Sequence, residues 1–466
     1  MTVPDDVPDD VPDDVPDANA TQPARPSTAY LDHLFHESEE RRQAAPPADV
    51  APSLLPDAVA DAVERAAEAL EPDLREVVER LHADPEPAFE EHRSAALLVE
   101  VLARHGVEAE LGAHGVPTAF RAELRGAGDP DGKGPAIAIC AEYDALPVIG
   151  HACGHNVIAA AGVGAFLALR GVLASEDAPA GRVVLLGTPA EEGHSGKEVL
   201  ARAGAFDDVD AAIMVHPYGQ DVAEQVWLGR RLLTWTFTGR PAHASAQPFM
   251  GRNALDAANL AYQGIGLLRQ QLPPVDRVHA TVVEGGTRPS IITERAVMRL
   301  YARSKYPDTL RDLSARLDDV ARGAALMTGT EVEIVWDDGA LPSLPVRTNA
   351  ALTERWVAAQ RRRGRDPLPP GVVSETLAAS TDFGNVSFRV PGMHPLIQVS
   401  APDVALHTAE FADAAGGPAA VPAAVDGAVG LALTALEYLT DDALRTAVHD
   451  EFVAHGGPLD VPRYFE

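Results

Sequence analysis

Cysteine is almost absent: the 466 residues include two, Cys140 and Cys153. Two thiols cannot build a disulfide framework, and this usage fits a reducing, cytoplasmic setting. Basic residues are scarce as well. There are 38 Lys and Arg against 69 Asp and Glu, a formal net charge of −31. That balance argues against nucleic acid and anionic membrane as partners and favours solubility. The chain opens with neither a basic n-region nor an apolar h-region, so no signal peptide is expected. No uncharged apolar run reaches the ~20 residues a membrane helix needs. The longest, Val157 to Leu169, stops at Arg170 and reads as a buried helix.

The length exceeds what one hydrophobic core usually supports, so two domains are expected. The first 17 residues repeat Val-Pro-Asp-Asp and hold seven aspartates with no basic residue. Proline at every fourth position blocks helix and sheet, and like charges repel. Residues 1–50 therefore read as a disordered acidic tail. From Pro56, DAVADAVERAAEALEPDLREVVERLH has apolar residues at helical spacing, with Asp57 placed to cap it. SAALLVEVLARHG reads as a second helix closed by Gly106. Strands then alternate with helices: TAFRAEL, PAIAICAEYD with Cys140 buried, a helix from about Asn156 capped by that residue, RVVLLGTPAEE and DAAIMVHP. This order indicates an α/β fold with a mixed, largely parallel sheet flanked by helices. Residues 51–227 would form its first part and 339–466 its second. Between them, residues 228–338 follow a β-α-β-β-α-β order, the ferredoxin-like pattern of a small inserted α+β domain.

Chemistry-bearing residues cluster just after the strands. Asp144 ends AIAICAEYD, Glu191 and Glu192 follow RVVLLGTPA, His216 follows DAAIMV, and His407 comes after PLIQVS. In open α/β sheets, ligands bind outside the carboxyl ends of the strands. In HACGHN, Cys153 and His155 share a face in an extended segment, and Gly154 lets the backbone turn sharply between them. Thiolate and imidazole are good ligands for zinc and other transition metals. Taken alone, the cysteine could equally be a packed core residue or a nucleophile with a histidine base. The paired glutamates could be solvated surface charges. They could also divide a task, one binding metal and the other taking a proton. His216 and His407 could each be structural. His243, in GRPAHAS, belongs to the inserted segment and reaches the others only through close domain approach or a dimer partner.

Together, EYDALPVIGHACGHN, TPAEEGHSGK, MVHPYG, FTGRPAHASAQPFMGRNALDAA, STDFGNVSFRVPG and HTAEF resemble the M20 metallopeptidase and amidohydrolase family. The likeness covers roughly residues 57–440 and is strongest toward its aminobenzoyl-glutamate hydrolase and dipeptidase branch. It implies that Cys153, His155, Glu192, His216 and His407 bind two divalent metals, Zn or Mn. It implies that Asp144 orients the site and Glu191 is the general acid/base. His243 would hold the substrate carbonyl oxygen of a neighbouring subunit, in a homodimer formed through the inserted domain. The implied activity is hydrolysis of the amide in N-acyl amino acids, aminobenzoyl-glutamate-like conjugates or dipeptides. The alternatives are a non-catalytic metal-binding homologue and a cysteine-dependent hydrolase. Two positions depart from the family pattern. Ser290 stands where an asparagine often contacts substrate, and Asn156 stands where many relatives carry Asp.

Overall fold

A computed structural model describes residues 26–45, 52–129 and 131–465. Of the segment read as an acidic tail, residues 1–25 and 46–50, with the Val-Pro-Asp-Asp repeat, lie outside the described residues. Within the remainder, Ala29–Ala44 form a helix rather than open chain. The repeat has ended there, and Glu37–Arg41 and Glu39–Arg42 pairs join successive turns.

The main sheet has six strands in the order Ala109–Leu111, Phe120–Arg125, Arg182–Gly187, Ala136–Ala141, Ala211–Ile213, Gly392–Met393. Its first two pairings are antiparallel and its last three are parallel. The strand Ala136–Ala141, with Cys140, is buried at every position. This is the pattern of a central strand covered on both faces. A short parallel pair, His216–Tyr218 with Leu396–Gln398, extends the site edge.

Two helices, His155–Leu173 and Ala420–Thr440, fill the core against this sheet. Both are long and apolar enough to cross a membrane, yet 83% and 89% of their most apolar windows are buried inside the protein. Their apolarity on all sides is that of core helices. Small residues let them approach. A Cβ on Gly430 would lie 2.4 Å from the buried Trp356 ring, and one on Gly164 would lie 2.9 Å from Ala428 Cβ.

Three local expectations are corrected. The stretch from Asp57 forms two helices, Asp57–Ala69 and Glu71–Ala83, because Pro72 starts a new first turn. Asp57 lies inside the first helix, whose N-cap is Pro56. The core helix begins at His155 with left-handed Gly154 as its N-cap, so Asn156 is no cap. The Asn156 amide instead donates to Val78 O and Ala415 O, at 3.2 and 2.9 Å, tying three segments together.

Between Gly229 and Trp336 the chain builds a second, antiparallel sheet. Its order is Glu331–Trp336, Gly229–Thr238, Arg295–Ser304, Arg277–Glu284. The helices Ala254–Leu268 and Pro307–Thr328 pack on it around a separate core that includes Trp235, Phe237 and Leu317. The architecture is two-domain α/β. Gly430→Ala is expected to lower stability by about 1–3 kcal/mol through overpacking against Trp356. Gly171→Ala, where a Cβ meets nothing within 4 Å, should raise it by ~1 kcal/mol. Chemical denaturation midpoints of the two variants, moving in opposite directions, check this.

Candidate metal centre

The strands ending at Ala141, Gly187 and Ile213 run parallel, so the loops that follow them emerge at one edge. Asp144 is buried there, 1% exposed, and does two things. Its Oδ1 lies 3.0 Å from His155 Nδ1, and its Oδ2 accepts the Glu192 N–H at 2.8 Å. Burial pushes the Asp144 carboxyl up, but His155 and the Glu192 N–H outweigh it and bring it below its usual range. With Nδ1 engaged by a carboxylate, Nε2 is the His155 nitrogen left to bind a metal. That nitrogen has no hydrogen-bond partner although it is buried.

His216 is set the same way by a different group. Its Nδ1 donates to Pro217 O at 2.7 Å, leaving Nε2 for Cys153 Sγ, its hydrogen-bond partner at 3.5 Å. Burial lowers His216 to about 3, so it is neutral, the form that binds metal. Gly154 makes the Cys153–His155 convergence possible. Its φ is +78°, and a Cβ there would lie 2.5 Å from Pro217 Cγ, against the neighbour of His216.

The paired glutamates diverge. Glu192 Oε1 lies 3.3 Å from His407 Nε2 and 4.0 Å from His155 Nε2. Glu191 is buried, 7% exposed, and its Oε1 accepts the Asp382 N–H at 3.3 Å. Burial, then the charges of Glu192 and Asp382, raises Glu191 well above the usual carboxylate range. His407 reaches in from a loop whose N–H donates to Ala152 O at 2.9 Å.

Three donor groups result, Cys153–His155–His216, Cys153–Glu192–His407 and His155–Glu191–Glu192, each with ligand atoms within 4.8 Å of one another. The first two share Cys153. Bare Nε2 of His155 and bare Oε1 of Glu192, both buried, are what a divalent cation would satisfy. The donor set therefore fits divalent metal. His243 is not brought into this group. It is exposed in the smaller domain, where its Nδ1 accepts the Ser245 and Ala246 N–H groups at 3.3 and 3.1 Å. Ser290 is nearby, its carbonyl accepting the Ala244 N–H.

Several residues at the site escaped the reading of the sequence. Lys197, fully buried, pairs with Glu142 and with Asp382, the latter 2.7 Å away. Glu142 Oε2 lies 3.4 Å from His155 Nε2. All three sit inside motifs already singled out, EYD, HSGK and STDFGN, but a buried lysine has no periodic signature. His394, buried and neutral, stacks on Phe383 at 5.3 Å and meets His216 edge-on at 5.7 Å. The donors open into a cavity of about 500 Å³ whose far wall carries Arg230, Tyr301 and Arg303 from the smaller domain. Neither arginine makes an ion pair among the described residues. Burial, then the Arg230 charge, lowers Arg303 from its ordinary value. A second cavity, about 610 Å³, lies at the domain junction beside Lys305, Arg347 and Tyr464 and carries no such donor cluster among the described residues.

The sequence model of peptidase family M20/M25/M40 matches residues 138–432. The chain belongs to the M20 peptidase family. This M20 hydrolase is 39% identical over 375 residues to a Mus musculus Xaa-Arg dipeptidase, covering 79% of this chain and 86% of the relative. It is 30% identical over 402 residues to one of the p-aminobenzoyl-glutamate hydrolase subunits of Escherichia coli strain K12, covering 72% and 82%. Among solved structures, a dinuclear-metal-binding M20 peptidase of Bacillus subtilis superposes with a TM-score of 0.61 at 22% identity, over 79% of this chain and 99% of that one. That last likeness concerns the fold. Gly154→Ala in this M20 chain, strained at φ and clashing with Pro217, should cut bound divalent metal by at least about half. Elemental analysis of the purified variant, with its unfolding midpoint measured alongside, checks this.

Proposed function

We propose that this chain is a metal-dependent amidohydrolase acting on dipeptides or N-acyl amino acids. The observation that carries the reading is the different placing of Glu191 and Glu192 beside the histidines. One glutamate faces the histidine donors, and its neighbour stands beside them, held by a peptide N–H. Cys153, His155, Glu192, His216 and His407 would hold two divalent ions, zinc or manganese. Such ions, when bound, lower the pKa of water and polarise an amide carbonyl. Glu191 takes the proton from the attacking water and returns it to the leaving amine. Asp144 keeps His155 in the tautomer that offers Nε2.

The two unpaired arginines favour a substrate with a free carboxylate beside the scissile amide. A planar guanidinium in a buried wall is suited to bind that group in two-point fashion. The names of the curated relatives agree with this class, since dipeptides and aminobenzoyl-glutamate both end in a carboxylate. His243 would act on a neighbouring subunit, bringing a donor to the substrate carbonyl oxygen. The smaller domain supports a homodimer: Arg277–Glu284 is an edge strand, and its Val282 and Val283 are 41% and 53% exposed. A reducing cytoplasm is the expected compartment.

Glu191→Gln should lose at least about 1,000-fold in kcat while its metal content stays near that of the unaltered protein. Loss of metal in that variant would mean that the two glutamates' roles are exchanged. Chelation should abolish turnover and Mn or Zn should restore it, which a cysteine nucleophile would not require. An unaltered, metal-loaded chain inactive on every acyl-amino acid and dipeptide tried would favour the binding-only alternative. Arg303→Met should raise KM by about 10- to 100-fold for carboxylate-bearing substrates, the loss of a charge-assisted bond, measured by steady-state kinetics.

A further inference from the structure

A buried carboxyl outside the donor set stands behind the proposed base. Glu91 is 0% exposed and occupies the N-cap position of the helix His92–Arg104, yet its side chain makes no capping bond. Glu86 serves that helix end. Its Oε1 accepts the Arg93 N–H at 3.1 Å and its Oε2 accepts the Ser94 N–H at 2.7 Å. Glu91 is thereby free to turn inward. Its Oε1 accepts two peptide N–H groups, from Phe89 at 2.9 Å and from Ala190 at 2.8 Å.

Both donors are unusual. Phe89 has φ +62° and Ala190 has φ +60°. Side-chain-bearing residues stay in the left-handed region only where their surroundings hold them. Ala190 is the residue before Glu191, so its backbone angles set where the Glu191 carboxylate begins. The loop is closed from the other side by the Gly196 N–H, which donates to Ala190 O at 2.9 Å. Among the described residues Glu91 makes no ion pair, and its buried Oε2 has no hydrogen-bond partner, so the two peptide N–H groups on Oε1 are what its burial supplies.

Resting on the reading of Glu191 as the base, we propose that Glu91 is a positioning residue. By accepting the Ala190 N–H it holds that residue left-handed, and so fixes the Glu191 carboxylate against the donors of His155 and Glu192. It touches neither substrate nor metal. Its effect falls on the chemical step rather than on binding. One acceptor oxygen serves both N–H groups, so an amide oxygen in its place suffices.

The experiment compares the full-length unaltered chain, Glu91→Ala and Glu91→Gln on an acyl-amino acid or dipeptide that the unaltered chain cleaves, with bound metal and unfolding midpoint measured for each. In Glu91→Ala, kcat should fall by about 10- to 100-fold, as expected for a displaced catalytic group. KM and metal content should stay within about twofold, and Glu91→Gln should recover most of the rate. Should Glu91→Ala fail to fold, Glu91→Asp replaces it, drawing the acceptor back by one methylene, with the same split expected. Unchanged kcat in the shortened variant overturns the proposal. So does an equal loss in Glu91→Gln, or a fall in rate that only tracks lost metal. An unaltered chain with no amide hydrolysis overturns the reading of Glu191 and this assignment together, whereas an active one with an equally active Glu91→Ala overturns this assignment alone.

Discussion

Negative charge buried in one place is the constraint around which this site is built. Glu142, Asp144, Glu191 and Asp382 are each 7% exposed or less, and Glu192 stands beside them. Lys197 is the fully buried lysine among them, and it is engaged by Glu142 and Asp382. Carboxylates withdrawn from water are costly unless paired, and the cost falls when cations or N–H groups meet their oxygens. Asp144 is met by His155 and the Glu192 N–H, and Glu191 by the Asp382 N–H. Glu192 is left facing the imidazoles of His155 and His407. The unmet remainder of charge lies where the imidazoles and the thiol converge, which is where divalent ions would neutralise it.

The same constraint explains the loop geometry. Ala190, Gly193 and Ser195 all have positive φ, within six residues. A relaxed loop after the strand Arg182–Gly187 would send its glutamates into solvent. The left-handed turns instead fold the loop back over the strand ends, with Ser195 Oγ donating to Leu341 O and Gly196 pressed so close to Pro189 that no Cβ would fit. Strain of this kind is held by surrounding bonds and marks sites where geometry matters more than local comfort.

Much of this was legible in the sequence. The parallel strands, the inserted β-α-β-β-α-β unit and the cluster of Cys153, His155, Glu192, His216 and His407 follow from periodicity, strand-end placement and the family resemblance. What stayed hidden has a common physical character. Lys197, Arg230 and Arg303 are charged residues whose burial depends on tertiary partners far away in sequence, and no local pattern records that. Asn156 looked like a cap because its position allows one; long-range acceptors, Val78 O and Ala415 O, outcompeted the helix end. The break at Leu70 was visible in Pro72 and was outweighed by an apolar period that runs on unbroken across it.

The smaller domain bears on the same balance of charge from the opposite side. Its strands Gly229–Thr238 and Arg295–Ser304 place Arg230 and Arg303 across the cavity from the glutamates. Two guanidiniums with no carboxylate partner among the described residues repel each other, a cost that burial increases. An anionic ligand group arriving between them relieves that repulsion. The acidic wall and the basic wall belong to different domains. Under the proposed function, a substrate with a carbonyl at one end and a carboxylate at the other would bridge them, so that the polarity and length of the molecule would govern whether its carbonyl meets the Glu191 side.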